Sequence, residues 1–339
     1  MVDWVSTPVL VTGGASFIGS ALVDALVERG AKLRIVDNLS SGCLDYIRDS
    51  VENGRVEFIQ GDLLDPAQAA RSVEGISVVF HLAADHGGRG YVDLHQVECS
   101  TNLILDGILF RAAATAGVRK VVFASSGCVY PNHIQTDPSE ELYLTEEMVG
   151  PPYDSDHLYG WAKLMAEMTL RAYASQGLLK AASCRYFTVY GPRGKEDHAV
   201  IAMIARAFVG QNPFEVWGTG EQIRNWTYVD DIVEGTIRAA EVIDDGRAVN
   251  LGTQERIRVA DAARMITGLM QVDTTLRFRP EMPTGPYNRV ASNQLAKEIL
   301  GWEPSVCFRE GIARTIDWYV KNKGQKEVRN SLESMLTAR

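Results

Sequence analysis

With 339 residues, 46% of them hydrophobic and 23% charged, the chain can bury a sizeable core, and disorder is not the default expectation. A net charge of −9 argues against nucleic acid as the main partner, and no apolar stretch reaches membrane-spanning length. The five cysteines (Cys43, Cys99, Cys128, Cys184, Cys307) are odd in number and match no zinc spacing, and no basic leader opens the chain, so a cytoplasmic protein without a metal site is expected.

In chain order, Val9–Val11 reads as a buried strand that runs into Thr12-Gly13-Gly14-Ala15-Ser16-Phe17-Ile18-Gly19, and a helical pattern follows over Phe17–Arg29. A tight turn needs glycine, a pyrophosphate needs close backbone approach, and a helix N-terminus supplies N–H donors and partial positive charge. Strand, turn and helix in that order predict a dinucleotide site, with Gly13, Ser16, Phe17, Ile18 and Gly19 at the phosphates. The next strand, Leu33–Val36, ends at Asp37, near the distance expected for a carboxylate that binds the adenosine ribose. No Arg follows at once to receive a 2′-phosphate, which favours NAD over NADP.

Further apolar runs at Val56–Ile59, Val78–Phe80, Val121–Phe123 and Ala181–Cys184 alternate with helical stretches such as Leu103–Ala116 and Leu158–Ser175. The alternation predicts an α/β fold built on a Rossmann-like, doubly wound parallel sheet. After Thr188 the pattern loosens into short strands (Phe214–Gly218, Leu276–Phe278) and helices near Val229–Ala240, Val259–Leu269 and Phe308–Val320. The expected organisation is an NAD-binding domain over 1–187, rejoined by a strand near Val249–Leu251, a smaller substrate lobe over 188–330 and a frayed tail over 331–339.

Tyr159-Gly160-Trp161-Ala162-Lys163 places a phenol and an ammonium on one helix face, one turn apart. A phenol with an ordinary pKa near ~10 is a poor base at neutral pH, and a nearby cation favours its charged form. Ser126, closing the apolar run before it, adds a hydroxyl able to orient the same substrate oxygen. Such a trio moves a proton on or off a sugar oxygen while a nicotinamide exchanges hydride with the carbon. His81 reads as a packing residue, and Glu140-Glu141 with Glu146-Glu147 as a solvated loop.

These residues resemble the extended short-chain dehydrogenase/reductase family, and within it the nucleotide-sugar epimerases and dehydratases, over nearly the whole chain. The landmarks are Thr12-Gly13-Gly14-Ala15, Asp37-Asn38-Leu39-Ser40-Ser41-Gly42, Gly61-Asp62-Leu63, Leu82-Ala83-Ala84, Asn102, Tyr159 with Lys163, Arg185-Tyr186-Phe187, Tyr190-Gly191-Pro192-Arg193, and Arg224 ahead of Tyr228-Val229-Asp230-Asp231. The resemblance implies NAD contacts from Asp37, Asn38, Ser41, Gly42, Asp62, Leu63, Leu82, Ala83, Ala84, Asn102, Ser125, Tyr186, Tyr159 and Lys163. It also implies a nucleotide-diphosphate sugar as substrate, Arg224 and Arg289 on the diphosphate, and a homodimer formed through the helices near Leu103–Ala116 and Leu158–Ser175. Three positions depart from the family pattern: Ser16 replaces the middle glycine of the turn, Thr188 a common Asn, and Ser292 an Asp.

In Ser125-Ser126-Gly127-Cys128-Val129-Tyr130-Pro131, Gly127-Cys128 stands where 4,6-dehydratases place an Asp-Glu pair, so the acid and base that eliminate water are missing. Cys128 here resembles the Ser-Ser-Ala-Cys-x-Tyr-Pro run of the GDP-mannose 3,5-epimerases. The glycine loop Asp85-His86-Gly87-Gly88-Arg89-Gly90-Tyr91 and the segment Trp217-Gly218-Thr219-Gly220-Glu221-Gln222-Ile223-Arg224 resemble that family too. By that likeness Cys128 and His198, the latter in place of a Lys, form an acid/base pair on a carbon beside a transient 4-ketone. Substrate contacts then come from Gly88, Arg89, Ser126, Cys128, Thr188, Arg224, Trp226 and Arg289, although Trp226 reads equally well as core. Plain inversion at C4 by Tyr159 is the alternative chemistry. A non-catalytic NAD-binding protein is a third reading, and the complete Tyr159, Lys163 and Ser126 set speaks against it.

Overall fold

A computed structural model describes residues 2–335. The first part of the chain gives β1 (Pro8–Thr12), α1 (Phe17–Glu28), β2 (Lys32–Asp37), α2 (Arg48–Glu52), β3 (Val56–Gln60), α3 (Pro66–Ser72) and β4 (Val78–His81). Next come α4 (Arg89–Leu94), α5 (Gln96–Ser100), α6 (Asn102–Thr115), β5 (Lys120–Ser126), α7 (His157–Ser175) and β6 (Lys180–Tyr186). Beyond them lie β7 (Val189–Tyr190), α8 (Ala199–Phe208), β8 (Phe214–Trp217), β9 (Ile223–Arg224), β10 (Thr227–Tyr228), α9 (Val229–Val242) and β11 (Asp245–Leu251). The chain continues through β12 (Ile257–Arg258), α10 (Val259–Leu269), β13 (Leu276–Arg279), β14 (Asn288–Arg289), α11 (Gln294–Leu300), α12 (Phe308–Asn322) and α13 (Gln325–Met335).

Seven strands form one parallel sheet in the order β11-β6-β5-β4-β1-β2-β3. Alternate residues of each strand feed opposite faces, as a sheet covered on both sides requires. Val9, Val11, Ile35, Phe80 and Val122 join one core, while Leu10, Val36, Val79, Val121 and Phe123 join the other. The strand order reverses between β1 and β4. Such a switch point opens a crevice beyond the carboxyl ends of the strands, and ligands of doubly wound sheets bind there. The smaller pairings β7–β10, β9 with β12 and β14, and β8–β13 all belong to the later half and bring Arg224 and Arg289 side by side in parallel register.

Two expectations fail at the edges of this frame. Residues 331–335 are not frayed: α13 carries them, and it buries Val328 and Leu332, an i,i+4 pair, against the first core. Residues 336–339 lie outside the described residues. Nor is Glu146 solvated, because its carboxylate accepts from the Asn250 N–H of β11 at 2.7 Å, and burial raises its pKa against that bond and Arg185. Among the described residues no helix is long and apolar enough to cross a membrane, and no group of His, Cys, Asp or Glu is placed to hold a metal.

Candidate active site

The crevice holds two cavities that share Ser16, Ser41, Leu82, Ala84 and His86 in their walls. The smaller, about 240 Å³, is also lined by Gly13, Asp37, Asn38, Asp62, Leu63 and Ala83. Its turn is packed tightly enough to demand bare backbone. Gly13 has φ +69°, and a Cβ there would stand 2.9 Å from Ala83 N, while a Cβ on Gly19 would overlap the Gly13 carbonyl oxygen. The Asp37 carboxylate accepts from Ala15 N at 3.0 Å and Leu39 N at 2.8 Å, so it braces the turn from the cavity wall. Asp62 likewise accepts from Leu64 N at 2.9 Å. A glycine turn at the start of α1 and two carboxylates at the neighbouring strand ends fit the diphosphate, ribose and adenine of a dinucleotide.

Four residues in this region are engaged with protein partners. The Ser16 hydroxyl donates to Gly13 O at 2.6 Å, so its proton is held within the turn, while the residue lines both cavities. Asn102 is fully buried. Its amide accepts from Asp85 N at 2.7 Å and donates to Asp85 O and Cys99 O, so it fixes the loop under the cavity. Ser125 lines the larger cavity, yet its hydroxyl is spent on the Glu167 carboxylate. Gly42 is in neither wall; it lies against the Asp37 carboxylate, where a Cβ would approach to 2.9 Å.

The larger cavity, about 350 Å³, is walled by Phe17, Ile18, Gly19, Ser126, Cys128, Tyr159, Lys163, Tyr186 and Thr188, with Gly88, Arg89, His198, Arg224, Trp226 and Arg289 at its other walls. Helix α7 delivers Tyr159 and Lys163, and Gly160 between them lets the helix rest against the turn after β5, because a Cβ there would overlap Cys128 O. Ser126 accepts from Cys128 N at 3.1 Å and lines the cavity beside Tyr159.

The expected lowering of the Tyr159 pKa by Lys163 is not the net effect. Burial pushes the phenol well above its usual value, Cys128 and Cys99 add to it, and Ser126 only partly offsets it. Lys163 is itself buried, which lowers its own pKa, and its Nζ sits 4.5 Å from the Phe123 ring centre against 5.8 Å from that of Tyr159. Beneath them, Thr12 Oγ1 accepts from Leu82 N and Ala83 N, leaving its proton for His81 Nδ1 at 2.8 Å. That assigns the His81 proton to Nε2, 3.0 Å from Asp106, and makes His81 a packing and bracing residue.

At the other walls three guanidiniums converge. Arg224 donates only to carbonyls, Ile223 O at 2.8 Å and Thr284 O at 2.7 Å, and burial with repulsion from Arg289 and Arg89 pulls its pKa down to about 9. Arg224 is half-buried and its guanidinium is held by carbonyls alone, with no carboxylate among the described residues bonded to it. Arg89 and Arg289 both donate to Asp156, and Arg289 Nη1 lies 3.3 Å from Cys128 Sγ. His198 caps α8 with its Nε2 3.8 Å from Asp197, and the His86 ring stands 6.1 Å from His198 and 6.5 Å from Tyr159. Trp226 is stacked on Phe308 at 5.0 Å and almost wholly buried, so the core claims most of it.

Sequence reasoning missed Asp156, Lys195, Asp197 and Arg206. Arg206 had a signal: it is the one charge in the ten-residue apolar helix α8, it lines the cavity, and burial pulls its pKa to about 10.

The family model described as the NAD dependent epimerase/dehydratase family matches residues 9–252. The chain belongs to that family. It is an enzyme, and its cofactor is NAD. A UDP-glucose 4-epimerase of Mycolicibacterium smegmatis is 31% identical over 93% of this chain and 99% of its own length. A GDP-mannose 3,5-epimerase of Arabidopsis thaliana is likewise 31% identical, over 94% of this chain and 83% of its own. Among solved structures, the UDP-glucuronic acid 4-epimerase of Bacillus cereus in complex with UDP-glucuronic acid and NAD aligns at TM-score 0.84 with 26% identity, covering 94% of this chain and 100% of that one. Relatives of different activity thus stand at equal distance from this epimerase/dehydratase.

Proposed function

We propose that the enzyme epimerises a nucleotide-diphosphate sugar at the carbon beside a transient 4-ketone, C5 and/or C3, with Cys128 and His198 as the acid/base pair. One observation carries this reading: the Cys128 sulfur and His198 line the same cavity as Tyr159 and Ser126. When bound, NAD supplies the acceptor for the C4 hydride and returns it at the end of the cycle. Tyr159 takes the O4 proton, and Ser126 orients that oxygen. Lys163 holds positive charge beneath the phenol. The ketone acidifies its neighbouring C–H, one of Cys128 and His198 removes that proton while the other delivers its own to the opposite face, and Tyr159 gives its proton back to O4. Arg224 holds the diphosphate, since it is the cation left to carbonyls alone among the three at this wall.

Inversion at C4 alone is the second reading, favoured by the likeness to 4-epimerases, and it needs only Tyr159 and Ser126. Incubating the enzyme with UDP-glucose or GDP-mannose in heavy water separates them. Deuterium at C3 or C5 is the expected result, whereas inversion at C4 without solvent label refutes the Cys128 scheme.

In the same reading, residues 1–187 chiefly hold NAD while 188–330 supply Arg224, Arg289 and the rest of the sugar-nucleotide wall. A homodimer is supported by the exposed apolar residues Leu158, Trp161 and Met165 on α7 with Leu103 and Ile104 on α6. Five free thiols fit the cytoplasm.

A further inference from the structure

Asp156 occupies the N-cap of α7, where an Asp ordinarily accepts from an amide of the first helical turn. Its carboxylate makes no such bond. Oδ2 accepts instead from Arg89 Nη1 at 2.7 Å and from Arg289 Nη2 at 3.1 Å, and the Asp156 N–H donates to Cys128 O at 2.9 Å. Burial alone would raise this carboxyl, but Arg289 and Arg89 outweigh it and hold the pKa below the usual value.

Arg289 is then fixed at three points. Nε donates to Gln135 Oε1 at 2.8 Å, Nη2 to Asp156, and Nη1 to Cys128 Sγ at 3.3 Å. Gln135 is itself tied to Tyr130 O and Pro131 O at 3.2 and 2.8 Å. A guanidinium is a rigid planar fork, so pinning two of its nitrogens aims the third. Arg89 completes the clasp through Asp93 and lies under the Gly285 backbone, where a Cβ would come within 3.0 Å of it.

We propose that Asp156 is a positioning residue: it seats the Arg289 guanidinium on the Cys128 sulfur, where the cation supports negative charge that builds on sulfur as it reacts. The purpose given to that sulfur rests on the proposed carbon-acid chemistry; the clasp itself does not. The ionisable groups around the sulfur are Arg289 on β14, Arg224 on β9, Arg89 on α4, and Lys163, Tyr159 and Asp156 on or capping α7, of which the buried Tyr159 phenol is neutral. Asp156 therefore acts with two opposite signs. As a bare negative charge it opposes charge building on the reacting sulfur, and as an anchor for Arg289 it supports it.

That opposition makes the test decisive. NAD-loaded enzyme is alkylated with iodoacetamide from about pH 6 to 9, and labelling of the Cys128 peptide is followed by mass spectrometry, with the exposed Cys307 as internal reference. Arg289→Gln is expected to slow Cys128 labelling by about tenfold. Asp156→Asn is expected to slow it too, roughly three- to tenfold, because the loosened fork outweighs the lost negative charge. Unchanged or faster labelling in Asp156→Asn overturns the proposal. Should that variant fold poorly, as unusual Cys184 labelling would reveal, Arg289→Lys keeps the charge without the fork; a wild-type rate there overturns the proposal equally. Alkylation needs no turnover, so its failure and that of the heavy-water experiment are separate events.

Discussion

The two ends of the crevice are built by different means. At the cofactor end, Gly13 to Gly19, Asp37 to Gly42 and Asp62 to Leu63 each act within a few residues, and the hydrogen bonds that shape them are mostly short-range or link adjacent strands. At the sugar end, Arg289 meets Asp156 across 133 positions and Cys128 across 161, and Arg89 meets Asp156 across 67. Backbone geometry written in glycine and a strand-end carboxylate serves any dinucleotide enzyme of this shape. In the proposed scheme, side chains gathered from distant elements decide what is done to the sugar.

The contrast can be broken by substitution, beginning with the largest effect. Tyr159→Phe should lower turnover of an accepted nucleotide sugar by about 10³-fold while the purified protein still carries NAD, as absorbance after denaturation would show. Loss of NAD along with activity would mean that the two ends are not separable. Cys128→Ser should cut deuterium wash-in at C3 or C5 by about 10²-fold with the fold intact by circular dichroism; undiminished wash-in removes the thiol from the chemistry. Gly19→Ala attacks the other end, since its Cβ would overlap Gly13 O, and copurified NAD should fall at least several-fold with a lowered melting temperature. Arg224→Gln should raise KM about tenfold with kcat nearly kept, as for a residue that binds the diphosphate uniformly; a kcat defect alone would reassign it.

The smallest effect is on acid stability. The folded pKa of Asp156 is lowered, so the unfolded chain binds more protons between the two values and stability rises with pH in that window. The contribution is complete above about pH 4 and is lost as pH falls through the lowered folded value. Melting temperature measured through that acid range should depend less steeply on pH in Asp156→Asn than in wild type; an equal slope contradicts it.

What could be read from the sequence follows the same division. Strand runs such as Val9–Val11 and the glycine turn after them are local, and they place the sheet and the cofactor pocket directly. Asn102 and Ser125 were legible as neighbours of that pocket, but the partners that claim their side chains, Asp85 and Glu167, depend on tertiary packing. Helical spacing put Lys163 beside Tyr159, yet spacing carries no information about desolvation, and desolvation sets both of their proton affinities. Asp156 was not legible at all, because what marks it out is the pair of arginines brought to it from α4 and β14.

The missing side chain at Gly160 has a consequence for how such a catalyst changes. Because α7 abuts the main chain at Cys128, the distance between the phenol's helix and position 128 is set by backbone against backbone. On the proposed chemistry, the group carried at 128 is then an interchangeable tool on a fixed mount: a lineage can trade sulfur for hydroxyl or carboxylate there without realigning the phenol next door.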